Sequence, residues 1–333
     1  LARRLPPSIS SELRPAGPSP LRIGISSCLL GEAVRWDGGH KRDRFIADSL
    51  SRHVEFVPIC PELEAGMGVP REAVRLIGSE AAPRMVGLRS GKDWTTAMRD
   101  YALSRVRRLR ALNLCGYVLK KDSPSCGMER VRIHSGKGPP SRKGIGLFAR
   151  ELQIQMPLMP LEEEGRLQDV VLRENFIERV FAYRRLKDLL DSGCRRADLV
   201  AFHTAHRYLL LSHSPRSLGE LDPLVAARAK AHARKRLGAT YAAGFMQALR
   251  APATVTRHHN VLRHAAGYLE ETLDATEMRE LQEVLEHYRS KRVPLGVPLM
   301  LLKRLVVRHR IEFLRKQIYL DPHPVELTLR NQV

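Results

Sequence analysis

Leu21–Ser27 reads LRIGISS, a short apolar run rich in β-branched residues that closes on small ones. Val54–Ile59 (VEFVPI) and Cys115–Leu119 (CGYVL) have the same strand-like character, and Pro157–Leu161 is expected to form a last strand. Thr95–Leu112 instead carries Met98, Leu103, Val106, Leu109 and Leu112 at helical spacing, with arginines elsewhere. Phe148–Ile154 reads as a short helix after the glycine-rich, basic run Gly136–Gly146. Alternating strand and helix patterns over residues 21–160 predict a parallel sheet with helices on both faces.

From residue 169 the period becomes helical throughout. Helices are expected over Val170–Leu190, Asp198–Leu211, Leu221–Leu237, Tyr241–Leu249, Thr256–Leu273, Ala275–Ser290 and Val297–Tyr319. Asp274 is placed to N-cap the helix beginning at Ala275. The expected organisation is an α/β parallel-sheet N-terminal domain followed by an all-α C-terminal domain. Residues 1–20 form a proline-rich, disordered lead-in, 21–165 the first domain and 166–333 the second, divided at the acidic turn Glu162–Gly165.

Composition narrows the function classes. Hydrophobic residues make up 43% of the 333, enough for packed cores. No window resembles a membrane-spanning helix or the apolar stretch of a secretory signal, so the cytoplasm is the expected compartment. The formal net charge is +20, spread almost evenly over both halves. Such a field points to a polyanionic partner, with nucleic acid favoured over a membrane surface. Aromatic residues are only 5% of the chain, so shape and backbone recognition of folded RNA fits better than stacking on many unpaired bases.

The five cysteines, Cys28, Cys60, Cys115, Cys126 and Cys194, are too few and too odd in number for a disulfide framework. Three of them share a position. Cys28 follows the first strand, Cys60 follows the second, and Cys126 lies in the loop KKDSPSCG beyond the third. The carboxyl ends of parallel strands lie along one edge of a sheet, where ligand sites gather, so these three thiols should converge. Cysteines taken singly are small buried hydrophobes, a reading that suits Cys115 and Cys194. Structural zinc sites usually show paired C-x₂₋₄-C spacings and four ligands, which these three lack. Three thiolates without a fourth suit an iron–sulfur cluster with one iron left open. From the residues alone, a structural metal in an RNA-binding protein and a cluster-bearing redox sensor remain alternatives.

The motifs SSCLLG-x₄-WDGG around Cys28, CPE at Cys60–Glu62, VPR at Val69–Arg71 and SPSCG at Ser123–Gly127 resemble the thiouracil desulfurase family. The resemblance covers about residues 21–160. The later segments NFIERVFAYRRLKDLL and YLDPHPVEL are similar to the YbgA-like helical domain. That pairing is found in RudS-type proteins, implicated in removing sulfur from 4-thiouridine in tRNA. The resemblance implies a [4Fe-4S] cluster held by Cys28, Cys60 and Cys126, and catalytic roles for Glu62 and Ser123. It implies tRNA carrying 4-thiouridine as the partner, with free 4-thiouracil as a further substrate. Glu62, two residues from a ligand, is placed to act as a base toward water, and the Ser123 hydroxyl to relay a proton. Without the resemblance, Glu62 would read as a helix-start charge and Ser123 as a turn residue. For phosphate contact the candidates are Lys120, Lys121, Lys137, Arg142, Lys143, Arg184, Arg185, Arg234, Lys235 and Arg236, each of which alone reads equally as a solvated surface charge.

Overall fold

The computed structural model describes residues 21–136, 138–227 and 233–324. The expected lead-in and Lys137 lie outside the described residues. The first part of the chain builds two four-stranded sheets. Strands β1 (Arg22–Ser26), β2 (Glu55–Ile59), β5 (Gly116–Leu119) and β8 (Leu161–Glu163) form an all-parallel sheet in the order β2-β1-β5-β8. The chain leaves β1 to one side to make β2, then returns to the other side of β1 with β5. The strand order therefore reverses between β1 and β5, and the crevice outside their carboxyl ends is where open α/β sheets bind ligands.

The second sheet was not legible in the hydrophobic pattern. It is formed by β3 (Val74–Gly78), β4 (Pro83–Gly87), β6 (Val131–His134) and β7 (Ser141–Gly144), in the order β4-β3-β6-β7 with mixed directions. The run expected as a basic loop ahead of a helix thus contributes an edge strand. Its residues Ser141, Arg142 and Lys143 carry no apolar alternation, and β7 is held by pairing with β6. Helix α1 (Thr95–Ala111) buries Met98, Ala102, Val106 and Leu109. Leu103, expected on that inner face, is exposed, and Ala102 takes the inward position. Helix α2 (Leu147–Gln155) packs beside it in the same core.

The rest is helical: α3 (Val170–Asp191), α4 (Arg196–His213), α5 (Pro215–Ala226), α6 (Arg234–Ala248), α7 (Val255–Gly267), α8 (Ala275–Arg289), α9 (Gly296–Arg308) and the single turn α10 (Glu312–Arg315). Asp274 caps α8 in a full capping box with Glu277. Several expected helices fall differently, α6 starting at Arg234 ahead of Tyr241 and α7 ending at Gly267 short of Leu273. Pro215, the first residue after its N-cap Ser214, starts α5 earlier than Leu221. The stretch expected as one helix from Val297 to Tyr319 stops at Arg308, where Arg310 takes a positive φ of 54°.

Secondary structure changes character at Glu162–Gly165, but the packing continues across that turn. Phe176, Ile177 and Val180 of α3 are buried in one cluster with Ile23, Ile25, Cys28, Leu29 and Val118 of the parallel sheet. A side chain at Gly116 would strike Val180 Cγ2. The first helix of the later half is therefore a covering layer for the first sheet.

Candidate active site

A cavity of about 360 Å³ opens at the carboxyl ends of β1, β2 and β5, and Cys28, Cys60, Glu62, Arg71, Ser123 and Cys126 all line it. Cys28 sits in the turn directly after β1, and Cys60 directly follows β2. Cys126 comes from the loop after β5. That loop is held by close backbone approach. Gly146 N donates to Gly127 O at 2.8 Å, and the first amides of α2, Leu147 N and Phe148 N, donate to Pro124 O and Ser125 O at 3.1 and 3.0 Å. The free amides of a helix start thus satisfy the loop carbonyls. A side chain at Gly146 would meet Ser125 O at 2.5 Å, and one at Gly127 would meet Val131 Cγ2 at 2.4 Å. This explains both glycines.

All three thiols are at least partly buried, and burial pushes their acidity down. Cys28 rises to about 11, desolvation outweighing the favourable charge of Lys120. Cys126 rises to about 12 from the same cause, opposed by hydrogen bonds from Ser125 and Ser26. Cys60 is also raised by its burial, opposed by the Leu63 amide. Buried thiols of this kind become thiolates when a cation or cluster is present to take the charge. The donor set of three thiols, and no other cysteine at the cavity, fits an iron–sulfur cluster better than one structural zinc.

Beside the thiols lies a hydrogen-bonded carboxylate. Glu62 Oε2 accepts from Arg71 Nε at 3.1 Å and Nη2 at 2.6 Å. The same guanidinium donates through Nη1 to the carbonyls of Val34 (3.0 Å) and Gly68 (2.9 Å). Glu62 Oε1 accepts from Ser125 Oγ at 2.8 Å and lies 3.4 Å from Ser123 Oγ. Ser123 Oγ accepts from the amides of Ser125 (3.3 Å) and Cys126 (3.2 Å) and stands 3.0 Å from Ser125 Oγ. Both serine hydroxyls therefore converge on Oε1 of the carboxylate, Ser125 as the nearer donor and Ser123 within reach of both.

Sequence reasoning placed Cys28, Cys60, Cys126, Glu62 and Ser123, and the fold brings all five together. It missed Ser125 altogether and gave Arg71 no role, although Arg71 closes the VPR motif it had noted. A lone arginine in a basic chain carries no signal until its partner is known.

The basic candidates divide. Lys120 and Lys121 line the cavity. Lys120 is paired with Glu164, while Lys121 is exposed. Arg142 and Lys143 are exposed on β7, and Arg234, Lys235 and Arg236 are exposed at the start of α6. Arg184 pairs with Asp188 at 3.1 Å. Arg185 is turned inward, donating to His206 Nε2 and Pro322 O at 3.0 Å each, and its burial lowers it to about 10. As an internal tie it is not presented to a phosphate, because the apolar stripe of α3 packs on both flanks and leaves that position inside.

The family described as 2-thiouracil desulfurase matches residues 23–164, and a family of unknown function, DUF1722, matches residues 207–324. The uncharacterized protein YbgA of Escherichia coli K12 is 30% identical over 156 residues, covering 46% of this chain and 90% of YbgA. The uncharacterized protein YbbK of Bacillus subtilis 168 is 33% identical over 110 residues, covering 32% of this chain and 72% of YbbK. Among solved structures, a [4Fe-4S]-dependent thiouracil desulfidase, TudS, is 27% identical, covering 44% of this chain and 93% of that one, with a TM-score of 0.38. No described helix is long and apolar enough to cross a membrane. The chain belongs to the 2-thiouracil desulfurase family through residues 23–164 and to the YbgA-like DUF1722 family through residues 207–324.

Proposed function

We propose that this protein hydrolyses the C=S bond of thiolated uracil, acting on 4-thiouridine in tRNA to leave uridine and sulfide, with a [4Fe-4S] cluster held by Cys28, Cys60 and Cys126. The observation that carries this reading is the convergence of those thiols with Glu62 and its two serines in one cavity. The reaction exchanges sulfur for oxygen: water adds to the ring carbon, the C–S bond breaks, and sulfur leaves as hydrogen sulfide. No net electron is needed. A cluster with one iron free of protein ligands supplies a Lewis acid with high affinity for sulfur.

The side chains supply the rest. Glu62 accepts a proton from the attacking water at Oε1, the oxygen turned toward the serines. Arg71 holds Oε2 and fixes the carboxylate plane, so that Oε1 cannot swing away. Glu62 then gives that proton up to the neighbouring Ser125 and Ser123 hydroxyls, which pass it on toward the ring nitrogen or departing sulfur. Trp36 lines the same cavity and is 45% exposed, which suits a flat face for the pyrimidine.

Transfer RNA is the proposed carrier of the base. It is supported by the net charge of +20 and by exposed Lys121, Arg142, Lys143, Arg234, Lys235 and Arg236. The base is turned out of the folded RNA to reach the cavity, and the cytoplasm is the proposed compartment. The test is anaerobic reconstitution with iron and sulfide, followed by sulfide release from 4-thiouracil and from 4-thiouridine-bearing tRNA. Release from both, with tRNA used at far lower concentration, is expected. A loaded protein that frees no sulfide from either substrate overturns the reading.

A further inference from the structure

A second ligand cluster lies in the helical half, remote in sequence from the cysteines. Glu174 and Glu178 of α3 and His323, in the segment after Leu320, place one ligand atom each within 4.8 Å of the others. The spacing of four residues stacks the two carboxylates on one face of the helix. Glu178 and His323 are 3% and 8% exposed. Two carboxylates and an imidazole brought this close make a mixed oxygen and nitrogen donor set of the kind that holds a divalent ion.

The surroundings orient the donors. His213, 1% exposed, donates from Nδ1 to Ala251 O at 2.7 Å and meets Glu178 Oε2 with Nε2 at 3.1 Å. His323 turns Nδ1 toward Pro324 O at 3.2 Å. A carbonyl only accepts, so Nδ1 carries the ring proton and Nε2 is the nitrogen able to ligate. Outer hydrogen bonds of this kind fix the tautomer and carboxylate orientation of metal ligands. A cavity of about 460 Å³ adjoins the cluster, lined by Glu174, Glu178, His213, His258, Tyr288 and Lys291 among others, and gives an ion a way in. Carboxylate oxygens and imidazole nitrogens bind first-row ions at roughly 2.0–2.2 Å, so donors around one ion stand ~3–4 Å apart.

We propose that Glu174, Glu178 and His323 bind one divalent transition-metal ion, of the manganese, iron or zinc class, at a site separate from the cysteine cavity. Two carboxylates with an imidazole suit these ions, whereas thiolates would be sought by softer ones. The ion would clasp α3, which covers the parallel sheet, to the far end of the helical half.

The test uses the full chain with its cysteines occupied by the reconstituted cluster. Mn²⁺ is titrated and counted by the loss of the free aqua-ion signal in electron paramagnetic resonance, and Zn²⁺ by calorimetry. One saturable site per chain is expected, weakened at least tenfold in Glu174→Gln and His323→Gln. Each variant is checked for native near-ultraviolet circular dichroism. Added metal should raise the melting temperature of the wild type and not of the variants. Glu174 is only half-buried, so its amide variant is the gentler of the two. Failure of both ions to bind the folded wild type overturns the proposal, and so does unchanged binding in both variants. Sulfide release from thiouracil is assayed separately, so loss of this site is distinguishable from failure of the desulfurase reading.

Discussion

Arg71 holds Glu62 through two hydrogen bonds to one carboxylate oxygen, at 3.1 and 2.6 Å, with the side chains 5% and 13% exposed. The pair is buried, and its two other arginine bonds reach carbonyls of separate turns. Replacing Arg71 by Met leaves an uncompensated carboxylate, and breaking such a pair typically costs ~3–5 kcal/mol. Arg71→Met should therefore lower the urea midpoint substantially. Arg71→Lys should fold, keep its iron, and lose turnover because a point charge cannot hold the carboxylate plane. Turnover per cluster in Arg71→Lys equal to the wild type would remove the positioning role.

The two serines should separate. Ser125→Ala removes the closer donor to Glu62, and Ser123→Ala removes the farther one along with the acceptor for two loop amides. Both should retain cluster and lose turnover, by about 10²–10⁴ if proton transfer limits the rate. Ser123→Ala should also cost ~1–3 kcal/mol, because buried amides lose their acceptor. Rates at matched iron content, with thermal melts alongside, give the comparison. A wild-type rate in Ser125→Ala would confine the relay to Ser123 and its 3.4 Å contact with Glu62. Glu62→Gln should be inactive with its cluster intact.

Cluster retention should fail in Cys28→Ala, Cys60→Ala and Cys126→Ala. It should survive in Cys115→Ala and Cys194→Ala, since neither of those thiols lines the cavity. Iron and acid-labile sulfide analysis after anaerobic reconstitution decides it. Full loading of Cys126→Ala would end the ligand assignment.

Truncation should be sensitive to where α3 is cut. A chain ending at residue 165 exposes the face of the sheet that Phe176, Ile177 and Val180 cover, and burial of each such side chain contributes roughly 1.5–3 kcal/mol. That fragment should be insoluble or poor in iron. A fragment running through Asp191 should be soluble and turn over free 4-thiouracil. Equal solubility and iron content in the two would show that α3 is dispensable to the sheet.

Binding of tRNA should weaken steeply with salt, the log–log slope being roughly −0.7 to −0.9 per neutralised phosphate. Charge reversal of Arg234, Lys235 and Arg236, all exposed at the start of α6, should flatten that slope without changing turnover of free 4-thiouracil. Reversing Arg185 should instead damage folding, because it ties α3 to His206 and Pro322. An unaltered slope in the triple variant would take RNA binding away from this face.

Period and turn chemistry in the sequence determined the strands that precede Cys28, Cys60 and Cys126, the helical character of the chain from α3 onward and the cap at Asp274. Those features are local: a strand end followed by a small residue and a thiol, or an Asp three positions before a Glu, is written in neighbouring letters. Glu62 and Ser123 were singled out by the resemblance of their motifs to the desulfurase family, since by themselves they read as a helix-start charge and a turn residue. Within the second sheet β7 was not legible, because it is polar along its length and is held by pairing with β6. Arg71 and Ser125 acquired their roles from partners 9 and 63 residues away, both found on Glu62. Arg185 read as a surface charge until the fold turned it inward. Glu174, Glu178 and His323 are unremarkable letters until the last turns of the chain return to α3. Only tertiary structure decided these, since a contact across the chain depends on which faces the core leaves adjacent, and helical or strand periodicity specifies a face without naming its neighbour.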